Sequence, residues 1–413
     1  MKNSFLSEMK SRGFLNQCTD LEKLIEVSNK KQIKAYIGFD CTAPSLHVGS
    51  LMQIMVLRLL QKSGHQPIVL LGGGTTLIGD PSGKDSTRRV LKQKEINTNI
   101  ISIKKIFDNL LKTKNKKLKH IFVNNFDWLG KLKYIEFLRE IGKHFTVNKM
   151  LSFDSVKLRL DRQQSLSYME FNYMILQAYD FYKLFEKHNC ILQMGGSDQW
   201  GNIVNGVELI RRVLKKDSFG LTTPLITLAS GAKMGKTEKG AVWLDKKLFS
   251  PYDYWQFWRN TADQDVKKFL MYFTEINCDV LEKKIESERD INKLKILLAN
   301  EATKILHGHK AAEESAETAK ETFIKGGLGK KIPEKKISKK IILNGINIIE
   351  LIFQNGMVQS KSEGRRILKN NGIRVNDQII SDEKKIINMD NVLKDNHIKL
   401  SVGKKTHLKV TVL

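Results

Sequence analysis

The chain has 413 residues, 41% of them apolar, enough for more than one domain with a sizeable core. Its 70 Lys and Arg against 44 Asp and Glu give a formal net charge of +26, which points to a polyanion, nucleic acid first, unless composition alone carries the excess. No run is uncharged enough to span a bilayer, the stretch Met1–Glu8 lacks the apolar core of a signal peptide, and Cys18, Cys41, Cys190 and Cys278 are too far apart for a zinc site; the expectation is a cytoplasmic protein with no membrane partner.

Residues 5–32 read as helical, with Leu21, Leu24 and Ile25 on one face. Ala35, Ile37 and Phe39 alternate with Tyr36, Gly38 and Asp40, a strand period over 34–39. Thr42, Pro44 and Ser45 break it, and Leu51, Ile54, Met55 and Leu59 then recur at helical spacing, predicting a helix over 47–63 with Gly64 at its end. Such a crossing suits an anion, because free N–H groups and the helix dipole point at it. His47 stands there either as a phosphate donor or as a cap, and Gly49, lacking a side chain, lets a flat ring approach the backbone.

A strand at 68–71 runs into Gly72-Gly73-Gly74-Thr75-Thr76, a loop where backbone can approach a ligand, without the spacing of a Walker A motif. Asp80 precedes Pro81; Lys84 and Arg88 share a helical face that meets pyrophosphate or simply faces water. Helices are expected at 94–111 and 131–143 around a strand at 120–124. A helix over 168–187 places Tyr173, Gln177 and Asp180 on one side at i, i+4 and i+7. Since that helix is otherwise apolar, the stripe reads as a pocket wall in preference to a wet face. A strand at 191–194 opens through Gly195, Gly196 and Asp198 into a helix at 198–214; the acid beside bare backbone suits a ribose diol. Strands alternating with helices predict an α/β, Rossmann-like parallel sheet covered on both faces. The loops after 34–39, 68–71 and 191–194 should converge on one site.

Lys233-Met234-Gly235-Lys236-Thr237 lies between Gly231 and Gly240, where two lysines on a flexible loop can close over a leaving pyrophosphate. Beyond residue 250 the strand signals stop, and 264–275 and 279–324 read as successive helices of a separate α-helical domain. The expected boundaries are 1–228 for the catalytic domain with its helical insertion, 229–325 for the loop and helical domain, 326–344 for a Lys-rich linker, and 345–413 for a small α+β domain. In that last part Ser360 to Glu363 is a capping-box pattern opening a helix. Lys361, Arg365 and Lys369 form a basic ridge with Arg366 beside it, Gly372 ends the helix, and Ile373 to Asp377 reads as strand and turn.

Taken together, these residues resemble the bacterial-type tyrosyl-tRNA synthetases, class I aminoacyl-tRNA synthetases, over almost the whole chain. The class signature His-x-Gly-His stands here as His47-Val48-Gly49-Ser50, and Lys-Met-Ser-Lys-Ser as Lys233-Met234-Gly235-Lys236-Thr237. Tyr36 to Asp40, Gly79 to Gly83, Tyr173 to Asp180 and Gly195 to Asn202 are specific to that family in combination. Ser50, where the signature has a second His, is the departure, and it puts one ATP contact in question.

The resemblance implies that Tyr36 and Asp180 hold the tyrosine phenol, that Asp80, Tyr173 and Gln177 hold its ammonium group, and that Gln199 lies near its carboxylate. It implies ATP binding by Asp40, His47, Gly49, Gly196 and Asp198, and pyrophosphate stabilisation by Lys84, Arg88, Lys233 and Lys236. ATP would enter as a substrate with Mg2+, with no protein-bound metal. The C-terminal part is similar to S4 RNA-binding domains, with Lys361, Arg365, Arg366 and Lys369 on the RNA side, and the resemblance implies a homodimer acting on tRNA(Tyr) and L-tyrosine. Tryptophanyl-tRNA synthetases share the core, but Tyr36 with Asp180 and the S4-like tail argue against them. A decayed, RNA-binding synthetase is the other alternative, with Ser50 as its support.

Overall fold

The computed structural model of the chain describes residues 4–80, 91–229, 231, 234–237, 240–324, 334–393, 395–403 and 406–413. The chain divides into two units: Met1–Gly235 with Val242–Asp245 and Ala262–Ile291, and Lys236–Ala241 with Lys246–Thr261 and Asn292–Leu413.

The first unit is built on six strands: β1 (Gln17–Cys18), β2 (Lys34–Phe39), β3 (Gln66–Leu71), β4 (Ile121–Asn124), β5 (Cys190–Gly196) and β6 (Phe219–Thr223), in the spatial order β1-β6-β5-β2-β3-β4. All neighbours are parallel except β1 with β6. Ile68, Val69, Leu70 and Leu71 are all buried, the continuous apolar run expected of a strand covered on both faces. In register, Tyr36 stands between Ile68 and Gln193. The strand order reverses at β2, so the crossings that follow β2 and β5 open side by side, where ligands bind in such sheets.

The helix Leu51–Lys62 follows a short 3-10 turn, Val48–Ser50, and buries Leu51, Ile54 and Met55. The helix Tyr168–His188 starts in a full capping box, Ser167 with Glu170, and ends on Asn189 in the left-handed region. It buries Met174, Ile175, Ala178 and Phe181 in the core beneath Tyr36.

Three expectations change. Residues 5–32 are two helices, Ser4–Ser11 and Leu21–Lys30, separated by β1, whose two residues are too few to show a period. The helices Asp263–Phe273 and Cys278–Ser287 belong to the first unit, not to a separate helical domain. Arg12 explains this: its guanidinium donates to the carbonyls of Met271, Thr274 and Ile276 at 2.9, 2.8 and 2.7 Å. Glu275 is also paired with Arg58 and Lys62, at 2.8 and 2.6 Å. Finally, the stretch read as a linker over 326–344 already contains a strand, Glu334–Ile337, paired in parallel with the strand Thr406–Val412; residues 325–333, with Gly326 and Gly327, lie outside the described ones.

In the second unit, Pro251–Arg259, Ile291–His307 and His309–Ile324 are helices. The C-terminal module is a five-stranded sheet with helices Ile348–Gln354 and Lys361–Lys369 over a core of Ile349, Ile352, Leu368, Ile398 and Val410. Ser360 accepts from the Glu363 amide at 3.1 Å, but Glu363 returns its bond to the Gln359 amide at 2.6 Å and not to Ser360, so only half a capping box forms. Asn371, at φ 54°, and not Gly372, takes the left-handed position after that helix. Asn376 and Asp377, both at positive φ, form the turn between the strands Ile373–Val375 and Gln378–Ile380.

Candidate active site

Tyr36 is buried, 1% exposed, because it lies mid-strand in a sheet covered on both faces. Among the described residues its hydroxyl has no hydrogen-bond partner. Asp180, also 1% exposed, comes from the fourth turn of Tyr168–His188. Burial pushes its carboxyl up to about 7, against two hydrogen bonds that favour the charged form. These come from Asn125 Nδ2 to Oδ2 and Trp128 Nε1 to Oδ1, both at 2.8 Å. The Tyr36 phenol is held well above its ordinary value, first by burial and then by the Asp180 charge. A carboxylate and a hydroxyl buried near each other can together take one further O–H group.

Asn125 and Trp128, the two donors that hold this carboxylate, were missed in reading the sequence. Asn125 Nδ2 also donates to Thr75 Oγ1 at 2.9 Å, and Asn125 Oδ1 accepts from the Gly74 amide at 2.8 Å. The triple glycine has a packing cause of its own. A Cβ on Gly73 would overlap Asn124 Oδ1, and one on Gly74 would sit 3.0 Å from Leu129. What the bare backbone admits is the segment after β4, which carries Asn125 and Trp128.

A second chain of contacts joins four elements. Gln177 Oε1 accepts from Asn202 Nδ2 at 3.1 Å, Asn202 Nδ2 reaches Gln199 Oε1 at 3.2 Å, and Gln199 Nε2 donates to Asp80 Oδ2 at 2.9 Å. Asn202 is the link that the sequence left without a role. Tyr173 is buried one turn before Gln177. Amides and carboxylates in this row can hold an ammonium and a carboxylate group side by side.

On the crossing after β2, His47 opens the 3-10 turn, and its Nδ1 accepts from the Gly49 amide at 3.0 Å. Capping and donating are thus compatible: with Nδ1 as acceptor, a neutral ring carries its proton on Nε2. The flat ring that approaches Gly49 in this structure is this same imidazole, since a Cβ there would sit 2.6 Å from His47 Cε1 and 2.8 Å from Met234 O. Asp40 directly follows β2, Gly196 ends the neighbouring β5, and Asp198 lies in the turn just beyond it. Lys84, Arg88 and Lys233 lie outside the described residues, and Lys236 lies on the short strand Lys236–Thr237 of the second unit.

On the C-terminal module Lys361, Arg365, Arg366 and Lys369 are all exposed, opposite the buried Gly364 and Leu368. Lys361 is paired with Glu350, and Arg365 with Glu383 at 2.5 Å. Such exposed pairs contribute little and exchange readily for other anions.

Residues 28–324 match the family of tRNA synthetases class I (W and Y), and residues 324–410 the tyrosine–tRNA ligase SYY-like C-terminal domain. The chain is similar to the tyrosine–tRNA ligase of Pelagibacter ubique (strain HTCC1062), 62% identical over the whole of both chains. It is likewise similar to that of Rickettsia massiliae (strain Mtu5), 49% identical over 99% of this chain and 100% of the relative. Among solved structures, a C-terminally truncated mitochondrial tyrosyl-tRNA synthetase of Aspergillus nidulans superposes with a TM-score of 0.70 at 29% identity, over 78% of this chain and 94% of that one.

Proposed function

Because the chain belongs to the class I tRNA synthetases, and among them to the tyrosyl-tRNA synthetases, we propose that the two polar clusters of its first unit divide the recognition of L-tyrosine between them. Tyr36 and Asp180 take the phenol. Asp80, Tyr173 and Gln177 take the ammonium group, with Gln199 beside the carboxylate. ATP lies over the crossings after β2 and β5, against Asp40, His47, Gly49, Gly196 and Asp198. The tyrosine carboxylate attacks the α-phosphate, pyrophosphate leaves, and the terminal adenosine hydroxyl of tRNA(Tyr) then takes the tyrosyl group. Catalysis rests on positioning and on charge stabilisation by His47, Lys84, Arg88, Lys233 and Lys236. Among the described residues no three His, Cys, Asp or Glu side chains cluster as a metal site requires; Mg2+ is placed with the ATP phosphates.

The observation that carries this reading is the buried Tyr36 hydroxyl, without a hydrogen-bond partner among the described residues and within reach of the Asp180 charge. The test is tyrosine-dependent ATP–pyrophosphate exchange without tRNA, with tryptophan and phenylalanine as controls. Exchange with tyrosine alone supports the phenol pocket; exchange with tryptophan overturns the roles of Tyr36 and Asp180; none with any amino acid, from folded protein that binds tRNA, selects the decayed alternative. In the same assay Lys236→Ala should slow adenylate formation about 100-fold, the scale of one lost transition-state donor. Tyrosine affinity should stay within about twofold; equal loss of both would remove the lysine from the transition state.

The C-terminal module holds the tRNA, with Lys361, Arg365, Arg366 and Lys369 on phosphates that fix register without reading sequence. The active form is a homodimer. Along residues 134–169 of the first unit Tyr134, Ile135, Val147, Leu160 and Tyr168 are all exposed, and the hydroxyls of Tyr134 and Tyr168 meet at 2.9 Å. Such an apolar surface fits a second copy of the chain. Ile135→Asp should move the mass in light scattering from dimer to monomer at micromolar concentration; an unchanged mass places the interface elsewhere. The four cysteines are free, and no described helix is long and apolar enough to cross a membrane; the enzyme works in the cytoplasm.

A further inference from the structure

We propose that Trp243 is a positioning residue for His47, fixing the imidazole in the orientation from which Nε2 addresses the ATP phosphates. The inference rests on the reading that His47 is a phosphate donor. Trp243 belongs to neither signature and has no role so far. The segment that carries it pairs with the crossing after β2: the Val48 amide donates to the Val242 carbonyl at 3.0 Å, and the Leu244 amide to the Leu46 carbonyl at 2.8 Å. His47 and Trp243 are thus directly opposed in an antiparallel bridge. Because the two hydrogen bonds flank this pair and do not join it, it is the kind in which opposed side chains lie closest.

The side chains use that proximity. The two rings meet edge to face, with centroids 6.3 Å apart and planes at 62°, a preferred arrangement for aromatic pairs. The hydrogen bond from the Gly49 amide to Nδ1 ties one atom of the imidazole. Trp243 supplies a second constraint. Gly235 supplies a third, since its φ of +117° brings backbone so close that a Cβ there would lie 2.5 Å from His47 Nδ1. The Val242 amide also donates to the Gly235 carbonyl at 3.2 Å. Val242 and Trp243 therefore tie Gly235, in the second signature, to His47 in the first.

The test is a double-mutant cycle read in tyrosine-dependent ATP–pyrophosphate exchange, using Trp243→Ala, Trp243→Phe, His47→Ala and the pair Trp243→Ala with His47→Ala. Trp243→Ala should lower kcat by about three- to tenfold, the scale of one aromatic pair, with KM for tyrosine unchanged. Trp243→Phe should restore most of it, because the edge-to-face contact is kept. In the His47→Ala background Trp243→Ala should cost nothing further. Equal losses in both backgrounds, or a raised KM for tyrosine, would overturn the proposal. If Trp243→Ala does not fold, Trp243→Leu keeps the bulk and loses the ring, and the same comparison decides. A native chain without exchange would instead overturn the functional reading beneath it.

Discussion

Asp180→Asn should lower kcat/KM for tyrosine by about 100-fold or more, the scale of a buried charge-assisted hydrogen bond of ~3 kcal/mol. The geometry argues for so large an effect from one atom. Asn125 and Trp128 both donate to this carboxylate, and the Tyr36 hydroxyl has no partner of its own. On the proposed reading a substrate phenol brings another O–H into the same place, which makes Asp180 the acceptor on which the cluster depends. An amide at that position turns one acceptor into a donor and sets it against Asn125 or Trp128. Tyr36→Phe should be milder for stability, because the lost hydroxyl bonds nothing in the ligand-free chain, yet it should narrow the preference for tyrosine over phenylalanine. Initial rates with both amino acids check this; an unchanged preference would place the phenol elsewhere.

The same carboxyl sets a pH dependence. Its value in the folded chain is about 7, above the ~4 of an unfolded aspartate. The folded state therefore holds an extra proton between these values, and the stability of the ligand-free chain falls as pH rises from about 4 to about 7, then levels. Tyrosine favours the ionised form, so its affinity should fall as pH drops below about 7. Around Asp180 stand the Tyr36 phenol, the Asn125 amide, the Trp128 indole with Lys187 over its ring at 5.6 Å, and the Cys190 thiol near Tyr36. The two tyrosine and cysteine groups are themselves held above their ordinary values by burial, which leaves Asp180 as the group of this set that titrates near neutrality. Titration calorimetry with tyrosine between pH 5.5 and 8.5 (roughly the range around that value) checks the direction; Asp180→Asn should flatten the profile.

His47→Asn and His47→Gln should part company by about tenfold or more in kcat, within the 100-fold scale of a lost donor to developing charge. The two amides copy different nitrogens. Asn reaches about as far as Nδ1 and can keep the bond from the Gly49 amide; Gln reaches toward Nε2 and can keep the donor. If His47 acts on phosphate, Gln retains more activity and Asn keeps only stability. If His47 is a cap and nothing else, Asn is the active variant. Pyrophosphate exchange with thermal melts on both proteins separates the two.

Much of this was legible along the chain because it is local. Strand period exposed Tyr36 and Asp40, helical period put Tyr173, Gln177 and Asp180 on one side, and glycines marked Gly195-Gly196. What escaped was set by tertiary contact. Asn125 and Trp128 lie 55 and 52 positions from the carboxylate they serve, and no spacing rule reaches that far. Trp243 reads as an ordinary apolar residue until Leu46–Val48 pairs with its segment. Glu334-Lys335-Lys336-Ile337 has the composition of a linker, yet a charged sequence is also how an edge strand avoids unwanted pairing. Gly72-Gly73-Gly74 was conspicuous, but the Asn124 and Leu129 side chains that crowd its bare backbone come from a distant part of the chain.

Arg12 has a consequence for the order in which the molecule is made. Its guanidinium is buried, and its three carbonyl acceptors are supplied by residues about 260 positions later. During synthesis the sheet through β6 is available long before those carbonyls exist. Until then the charge has only Glu8 beside it and must stay in water, because an unpaired guanidinium cannot be buried cheaply. A chain truncated before residue 262 would complete the six-stranded sheet yet leave this guanidinium without its three carbonyl acceptors, so its first unit should be less stable than that of the full chain.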